Sequence, residues 1–305
     1  MLKKAVPPVL LLVIMIVLSA CVSETNLPAS SADNSNNTMF TPLTYPRVDG
    51  STANIPLGVL MAQKLAGFSE ETADALCHFS TTPYAYSRLL NKQTDLLLVY
   101  EGSEETKMEI DSSGVELEFY PIGFDALVFI VNKQNPVENI STSNIQAIYQ
   151  SLITNWEEVG GLDEPIVAYQ RTEDSGSQAL MRKLVMEGLS MTEAPTELAP
   201  GAMGELIEEL ASYNNSGNAL GYSVYYYAQN MYNQPGLKFL AVDGILPGND
   251  TIADKTYPFV NEFFAVIRAD EPPDSETRKL LNWLLSPEGE NTIEEAGYVS
   301  AGNNN

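Results

Sequence analysis

Apolar and β-branched residues gather in short runs at 95–100 (DLLLVY), 126–131 (ALVFIV), 166–169, 220–224, 237–242 and 263–267 (FFAVI). Runs of this length predict strands, and the lack of polar alternation within them predicts strands covered on both faces. Between the runs, apolar residues recur at helical spacing over 57–65, 83–90, 144–151, 178–187 and 277–285. Glu205, Glu208 and Glu209 fall on a further predicted helix and read as its solvated face. Alternation of strands and helices predicts an α/β fold with largely parallel sheets. A chain of 305 residues has room for two lobes sharing a cleft.

The first residues break this pattern. Lys3 and Lys4 precede an unbroken apolar run at 9–18, which is short for a bilayer span, and Leu18-Ser19-Ala20 then leads into Cys21. This resembles a bacterial lipobox. Residues 1–20 are expected to be a lipoprotein signal peptide, and Cys21 to be acylated, for instance with palmitate, as the new N-terminus. Residues 21–44 are rich in Ser, Asn and Thr without apolar periodicity, and a flexible tether is expected there. The mature protein would then stand on the outer face of the cytoplasmic membrane, held by lipid.

Charge narrows the field. The chain has 16 basic against 40 acidic residues, a net charge of −24. A nucleic-acid binder needs the opposite balance, so nucleic acid is excluded as a partner. With one histidine and two cysteines, a Cys/His zinc site and a disulfide scaffold are excluded too, and no metal or other cofactor is expected. If Cys21 carries lipid, Cys77 has no partner and reads as a buried free thiol. The chain has neither a Gly-x-Ser-x-Gly elbow nor a Walker A sequence, and an enzyme is not expected.

The chemistry that does recur lies at helix starts. Asp49-Gly50-Ser51-Thr52, Ser80-Thr81-Thr82 and Asp174-Ser175-Gly176-Ser177 each precede a predicted helix, with Pro56 and Pro83 in the first turns of two of them. Each places hydroxyls and free N–H groups at the positive end of a helix dipole. One such start is an ordinary cap; three, two of them with a glycine that admits close backbone approach, suggest a shared anion cradle. Arg171 stands four residues before Ser175, at the end of the strand IVAYQ, where a guanidinium can hold an anion with two hydrogen bonds.

These segments, in order along nearly the whole mature chain, resemble the PstS-like phosphate receptors of bacterial ABC importers, in the periplasmic-binding-protein type 2 family. The matching stretches are YPRVDGSTANIP at 45–56, TDLLLVYEGS at 94–103, PIGFDALVFIVNKQNP at 121–136, IQAIYQSLITNWEEVGG at 145–161, YQRTEDSGSQALMRK at 169–183, ALGYSVYYY at 219–227 and LLSPEGENTIEEAGYVS at 284–300. The resemblance implies a two-lobed α/β fold with the ligand cleft between lobes and two crossover strands. Lobe 1 is expected at 45–125 plus 246–305, and lobe 2 at 126–245. It implies that Ser51, Thr52 and Ala53, then Ser80 and Thr81, then Arg171, Ser175, Gly176 and Ser177 bind the anion. It also implies an acid after the strand DLLLVY that accepts the proton of phosphate and repels sulfate, a place that falls on Glu101. Phe124 stands where relatives often carry Arg. The implied function is capture of inorganic phosphate for ABC permease subunits by a monomer. Alternatives are a receptor for another oxyanion or a phosphorylated small molecule, and a ligand-responsive sensor or interaction protein.

Overall fold

The computed structural model describes residues 38–212 and 217–302. The expected signal peptide, Cys21 and most of the tether lie outside the described residues. The end of the expected tether is corrected: Phe40 is buried, stacks edge-on against Tyr45 with centroids 5.7 Å apart, and its N–H donates to Leu65 O at 2.9 Å. One aromatic residue in a polar stretch is enough to anchor it to the core.

Ten strands carry the fold: β1 (Val48–Gly50), β2 (Leu96–Val99), β3 (Leu117–Asn132), β4 (Asn139–Ile140), β5 (Val167–Ala168), β6 (Ala219–Val224), β7 (Leu237–Phe239), β8 (Ala241–Val242), β9 (Val260–Arg268) and β10 (Val299–Ser300) among the described residues. The main sheet runs β1-β2-β9-β3-β6-β5, with β7 and β10 also on β3, and β4 and β8 pair separately. The expectation of largely parallel sheets is corrected here. β1–β2, β5–β6 and β4–β8 are parallel, but every pairing made by β3 and β9 is antiparallel. β9 arrives from the far end of the sequence, so its direction owes nothing to local strand–helix alternation.

β3 is the spine. Its first part, Leu117 to Ala126, pairs with β9, and Leu127 to Val131 pairs with β6. Only its second part shows as an apolar run; the first contains Pro121 and Gly123, which sit at an irregularity in the register against β9. β2 is buried along its whole length, as its all-apolar composition requires.

The helices Ile55–Ala66, Thr82–Leu90, Thr142–Tyr149, Gly176–Leu180 and Glu276–Leu284 fall on the predicted segments, the fourth running on as a π-helical stretch to Met186. Glu70–Leu76, Glu104–Ser113 and Pro287–Glu295 are further helices, each capped by a serine that accepts an N–H of its first turn. Glu205, Glu208 and Glu209 do share a helix, Met203–Ala211, whose Leu206, Ile207 and Leu210 are buried. Cys77 is a buried free thiol, and burial, then the charge of Asp74, pushes its pKa up to about 12, so it is inert. No helix among the described residues is long and apolar enough to cross a membrane.

Candidate functional site: an anion cradle at three helix starts

The three helix starts meet. A cavity of about 250 Å³ is lined by Ser51 and Thr52 from the first, Thr81 and Thr82 from the second, and Ser175, Gly176 and Ser177 from the third, with Arg171 among them. Gly50 makes the first start possible. A Cβ there would lie 2.1 Å from Leu98 O, so only glycine lets β1 end this close to β2. Ser51 then donates its N–H to Leu98 O at 2.9 Å, and Asn54 Nδ2 donates to the same carbonyl at 2.9 Å. Ser51 Oγ caps the short turn Thr52–Asn54, which leads into the helix Ile55–Ala66.

The second start is strained. Thr81 has φ 77° and ψ 158°, a region that costs a β-branched residue roughly 1–3 kcal/mol. No side chain caps the helix Thr82–Leu90 that follows. Its first N–H groups are therefore left for solvent or a ligand. The third start is conventional, with Ser175 Oγ accepting from Gln178 N at 3.1 Å.

Arg171 supplies the charge. It is only 6% exposed, and its guanidinium donates to Pro200 O at 3.0 Å, Gly201 O at 2.7 Å and Ser177 Oγ at 3.3 Å. Among the described residues it forms no ion pair. Burial lowers its pKa from the ordinary guanidinium value, yet an arginine stays charged in any protein setting. A buried cation held only by carbonyls and a hydroxyl is incomplete without an anion.

Three residues expected to bind the anion do not line this cavity. Ala53 is fully buried and off the cavity; its N–H is turned to Ser51 Oγ at 3.4 Å and its carbonyl accepts from Tyr298 OH at 2.6 Å. Ser80 is drawn to Asp49, whose carboxylate accepts from its N–H at 2.7 Å and its hydroxyl at 2.8 Å, and from Arg88 Nη1 at 2.6 Å. That buried carboxylate ties the end of β1 to the second helix start, so Ser80 positions the cradle rather than lining it. Glu101 also lies off the cavity. It pairs with Lys107 at 2.8 Å and with Lys183. Burial raises its pKa, but the hydrogen bonds from Lys107 and Lys183 outweigh this and hold it below the usual carboxylate value. Two larger clefts, of about 400 and 540 Å³, flank this cluster, and the lysines there already have carboxylate partners or, at Lys255, sit 4.2 Å from the Phe124 ring centroid. Glu101→Gln is therefore expected to leave the affinity of the cavity for an oxyanion within about fivefold, since half-exposed pairs are worth roughly 0–1 kcal/mol. Calorimetric titration of oxyanions into both proteins checks this; a larger loss would return Glu101 to the site.

Tyr100 was not expected here and lines the cavity. It is 1% exposed, and its hydroxyl donates to Asp125 Oδ2 at 2.7 Å. Its position at the end of the run DLLLVY was the only trace in the sequence. Tyr227 and Val224, from the segment after β6 and β6 itself, complete an apolar part of the wall. Among the described residues no cluster of three or more His, Cys, Asp or Glu is placed to hold a metal.

A small cavity lined by three helix starts and the end of β6 is where an α/β fold places a ligand. The chain belongs to the PBP superfamily: the family model described as PBP superfamily domain matches residues 35–288. Among similar proteins is the phosphate-binding protein PstS of Borreliella burgdorferi, 27% identical over 260 residues that make up 83% of this chain and 88% of that one. Among solved structures, an ABC-type phosphate transport receptor from Vibrio cholerae superposes with a TM-score of 0.60 at 24% identity, over 83% of this chain and 98% of that one. PstS from Borrelia burgdorferi superposes with a TM-score of 0.51 at 21% identity, over 83% and 97%. The likeness to these structures establishes the two-lobed α/β fold.

Proposed function

We propose that the protein is an extracytoplasmic receptor that captures inorganic phosphate and delivers it to an ABC permease. It performs no reaction and acts as a monomer. The observation that carries this reading is Arg171, a buried guanidinium without a carboxylate ion pair among the described residues, lining a cavity where three helix starts converge. Ser51, Thr52, Thr81, Thr82, Ser175, Gly176 and Ser177 supply the hydroxyls and N–H groups that complete a shell of donors around a tetrahedral oxyanion. The relatives' names, phosphate-binding protein and phosphate transport receptor, favour phosphate among the oxyanions.

The lobes of this reading are 45–125 plus 246–305, and 126–245. The change of partner along β3, from β9 to β6 between Ala126 and Leu127, supports that division. Ser51, Thr52, Thr81 and Tyr100 then belong to one lobe, and Arg171 with the Ser175–Ser177 turn to the other, so the anion bridges them and favours closure. Residues 1–20 act as the signal peptide and Cys21 carries the lipid that holds the receptor outside the cytoplasmic membrane; the apolar run followed by Leu-Ser-Ala-Cys supports this. Thermal unfolding with phosphate, sulfate, molybdate and phosphonates tests the ligand. Phosphate is expected to raise the midpoint at the lowest concentration, because a ligand stabilises in proportion to RT ln(1 + [L]/Kd). A shift by a phosphonate or molybdate alone would replace phosphate with another oxyanion.

A further inference from the structure

The cavity holds more than a bare oxyanion uses. About 10–15 Å³ of such space takes a water molecule, so about 250 Å³ far exceeds what four oxygens around one phosphorus need. Part of the wall is apolar: Val224, Met203 and the ring of Tyr227, which stacks on Tyr232 with centroids 5.0 Å apart, offer an oxyanion nothing. Two charged side chains line the cavity, and they have opposite signs. Arg171 is buried at its deep end, and Asp174 is exposed. The charge of Asp174 reaches Arg171, yet the two form no ion pair, and among the described residues the Asp174 carboxylate has no hydrogen-bonding or ion-pair partner. Toward a bare anion that carboxylate is repulsive. Tyr84, 65% exposed, lines the same cavity from the second helix start. A Cβ on Gly176 would stand 3.4 Å from Thr82 Oγ1, so the second and third starts meet there. Asp174 lies two residues before Gly176 and Tyr84 two after Thr82, and both are at the exposed end.

We propose that the cavity also takes phosphomonoesters and phosphonates whose short chain ends in an amine, with the oxyanion held at Arg171 and the ammonium at the exposed end beside Asp174. This rests on the oxyanion reading of the cradle and goes beyond inorganic phosphate. Each feature that a bare anion leaves unused then has a part. The extra room takes the chain, and the chain covers the apolar wall. The ammonium gives Asp174 the cation it lacks, and the Tyr84 ring at the same end attracts the same charge. A ligand whose two charges match Arg171 inside and Asp174 outside enters in one orientation only. A chain ending in a carboxylate would meet Asp174 as a like charge and be turned away. Inorganic phosphate still binds at the deep end, but against the Asp174 charge.

Three ligands separate the charge of the amine from the rest of the molecule. Inorganic phosphate, ethyl phosphate and phosphoethanolamine are titrated by calorimetry into the full protein and into Asp174→Asn, with circular dichroism to confirm folding. The two esters share the phosphoryl group and the two-carbon stem and differ in the terminal ammonium. Phosphoethanolamine is expected to bind the unchanged protein about fivefold or more tighter than ethyl phosphate. In Asp174→Asn that preference should fall to within about twofold, while inorganic phosphate binds about twofold or more tighter because a repelling charge is gone. The amine ligand and the bare anion thus move in opposite directions. A merely structural role for Asp174 would weaken all three ligands together and leave the ratio of the esters in place, which would overturn the inference. Equal affinities of the unchanged protein for the two esters would overturn it as well, with the phosphate reading left standing. Binding of phosphoethanolamine without binding of inorganic phosphate would overturn the phosphate reading and keep this one. No binding of any of the three would overturn both.

Discussion

Arg171→Ala is expected to weaken phosphate binding by at least tenfold. The guanidinium is buried, has no carboxylate partner among the described residues and is already oriented by Pro200 O, Gly201 O and Ser177 Oγ, so little is spent on ordering it when the anion arrives. A hydrogen bond to a charged group is worth roughly 1.5–3 kcal/mol, which corresponds to about 10- to 150-fold in affinity. The remaining hydroxyls and N–H groups keep the shape of the cradle, so weak binding should persist. Arg171→Lys should recover only part of the loss, because an ammonium cannot hold both carbonyls and an anion in one plane. The unliganded variant should be no less stable than the parent, since the substitution removes an unpaired buried charge. Calorimetry and thermal unfolding read the two effects separately; an unchanged phosphate affinity would remove Arg171 from the site.

Gly50→Ala should show the largest loss of stability among single-methyl changes near the cradle. The added Cβ would stand 2.1 Å from Leu98 O and 2.9 Å from Leu98 C, both backbone atoms that cannot rotate aside. β1 would have to separate from β2, breaking the Ser51 N–H to Leu98 O hydrogen bond that sets the first helix start. Overpacking costs about 1–3 kcal/mol, and this site belongs at the upper end because the neighbour is main chain. At roughly 2–4 °C per kcal/mol for a chain of this size, the midpoint should fall by several degrees, and phosphate affinity should fall with it. Gly236→Ala is the control. A Cβ there meets nothing within 4 Å, and the residue has no left-handed backbone. Equal midpoints for the two variants would show that the approach of β1 to β2 is not what holds this loop.

What could be read from the sequence was local. Ser51, Thr52, Thr81, Arg171, Ser175, Gly176 and Ser177 carry their chemistry within a few residues of a helix start, so motif and spacing locate them, and all line the cavity. Tyr100 and Asp125 are 25 residues apart on neighbouring parts of the sheet and meet only through tertiary structure. That Tyr100 lines the cavity while Glu101 lies off it has a simple geometric cause. Successive side chains on an extended segment point to opposite sides, so a shift of one residue at the end of β2 exchanges the group in the cavity for the one outside it. Ser80 and Ala53 were placed by adjacency to true cavity residues, but Asp49 claims the first and the core claims the second. The antiparallel sense of β9 was hidden for a related reason, since no local pattern records which end of a distant strand arrives first.

The acidic composition gains a clearer meaning from the site. With 40 acidic and 16 basic residues the chain repels anions at a distance, whereas the cradle acts through contacts of about 3 Å, well inside the Debye length of about 10 Å at 0.1 M salt. Affinity for phosphate should therefore come from enclosure and hydrogen bonds, with no help from the far field. The most direct measurement is calorimetric titration of phosphate into the full protein at low and high ionic strength. The expected result is one phosphate bound per chain, with an affinity that does not rise as salt is removed. No saturable binding, or an affinity that climbs steeply as salt is withdrawn, would contradict an enclosed anion cradle built on Arg171.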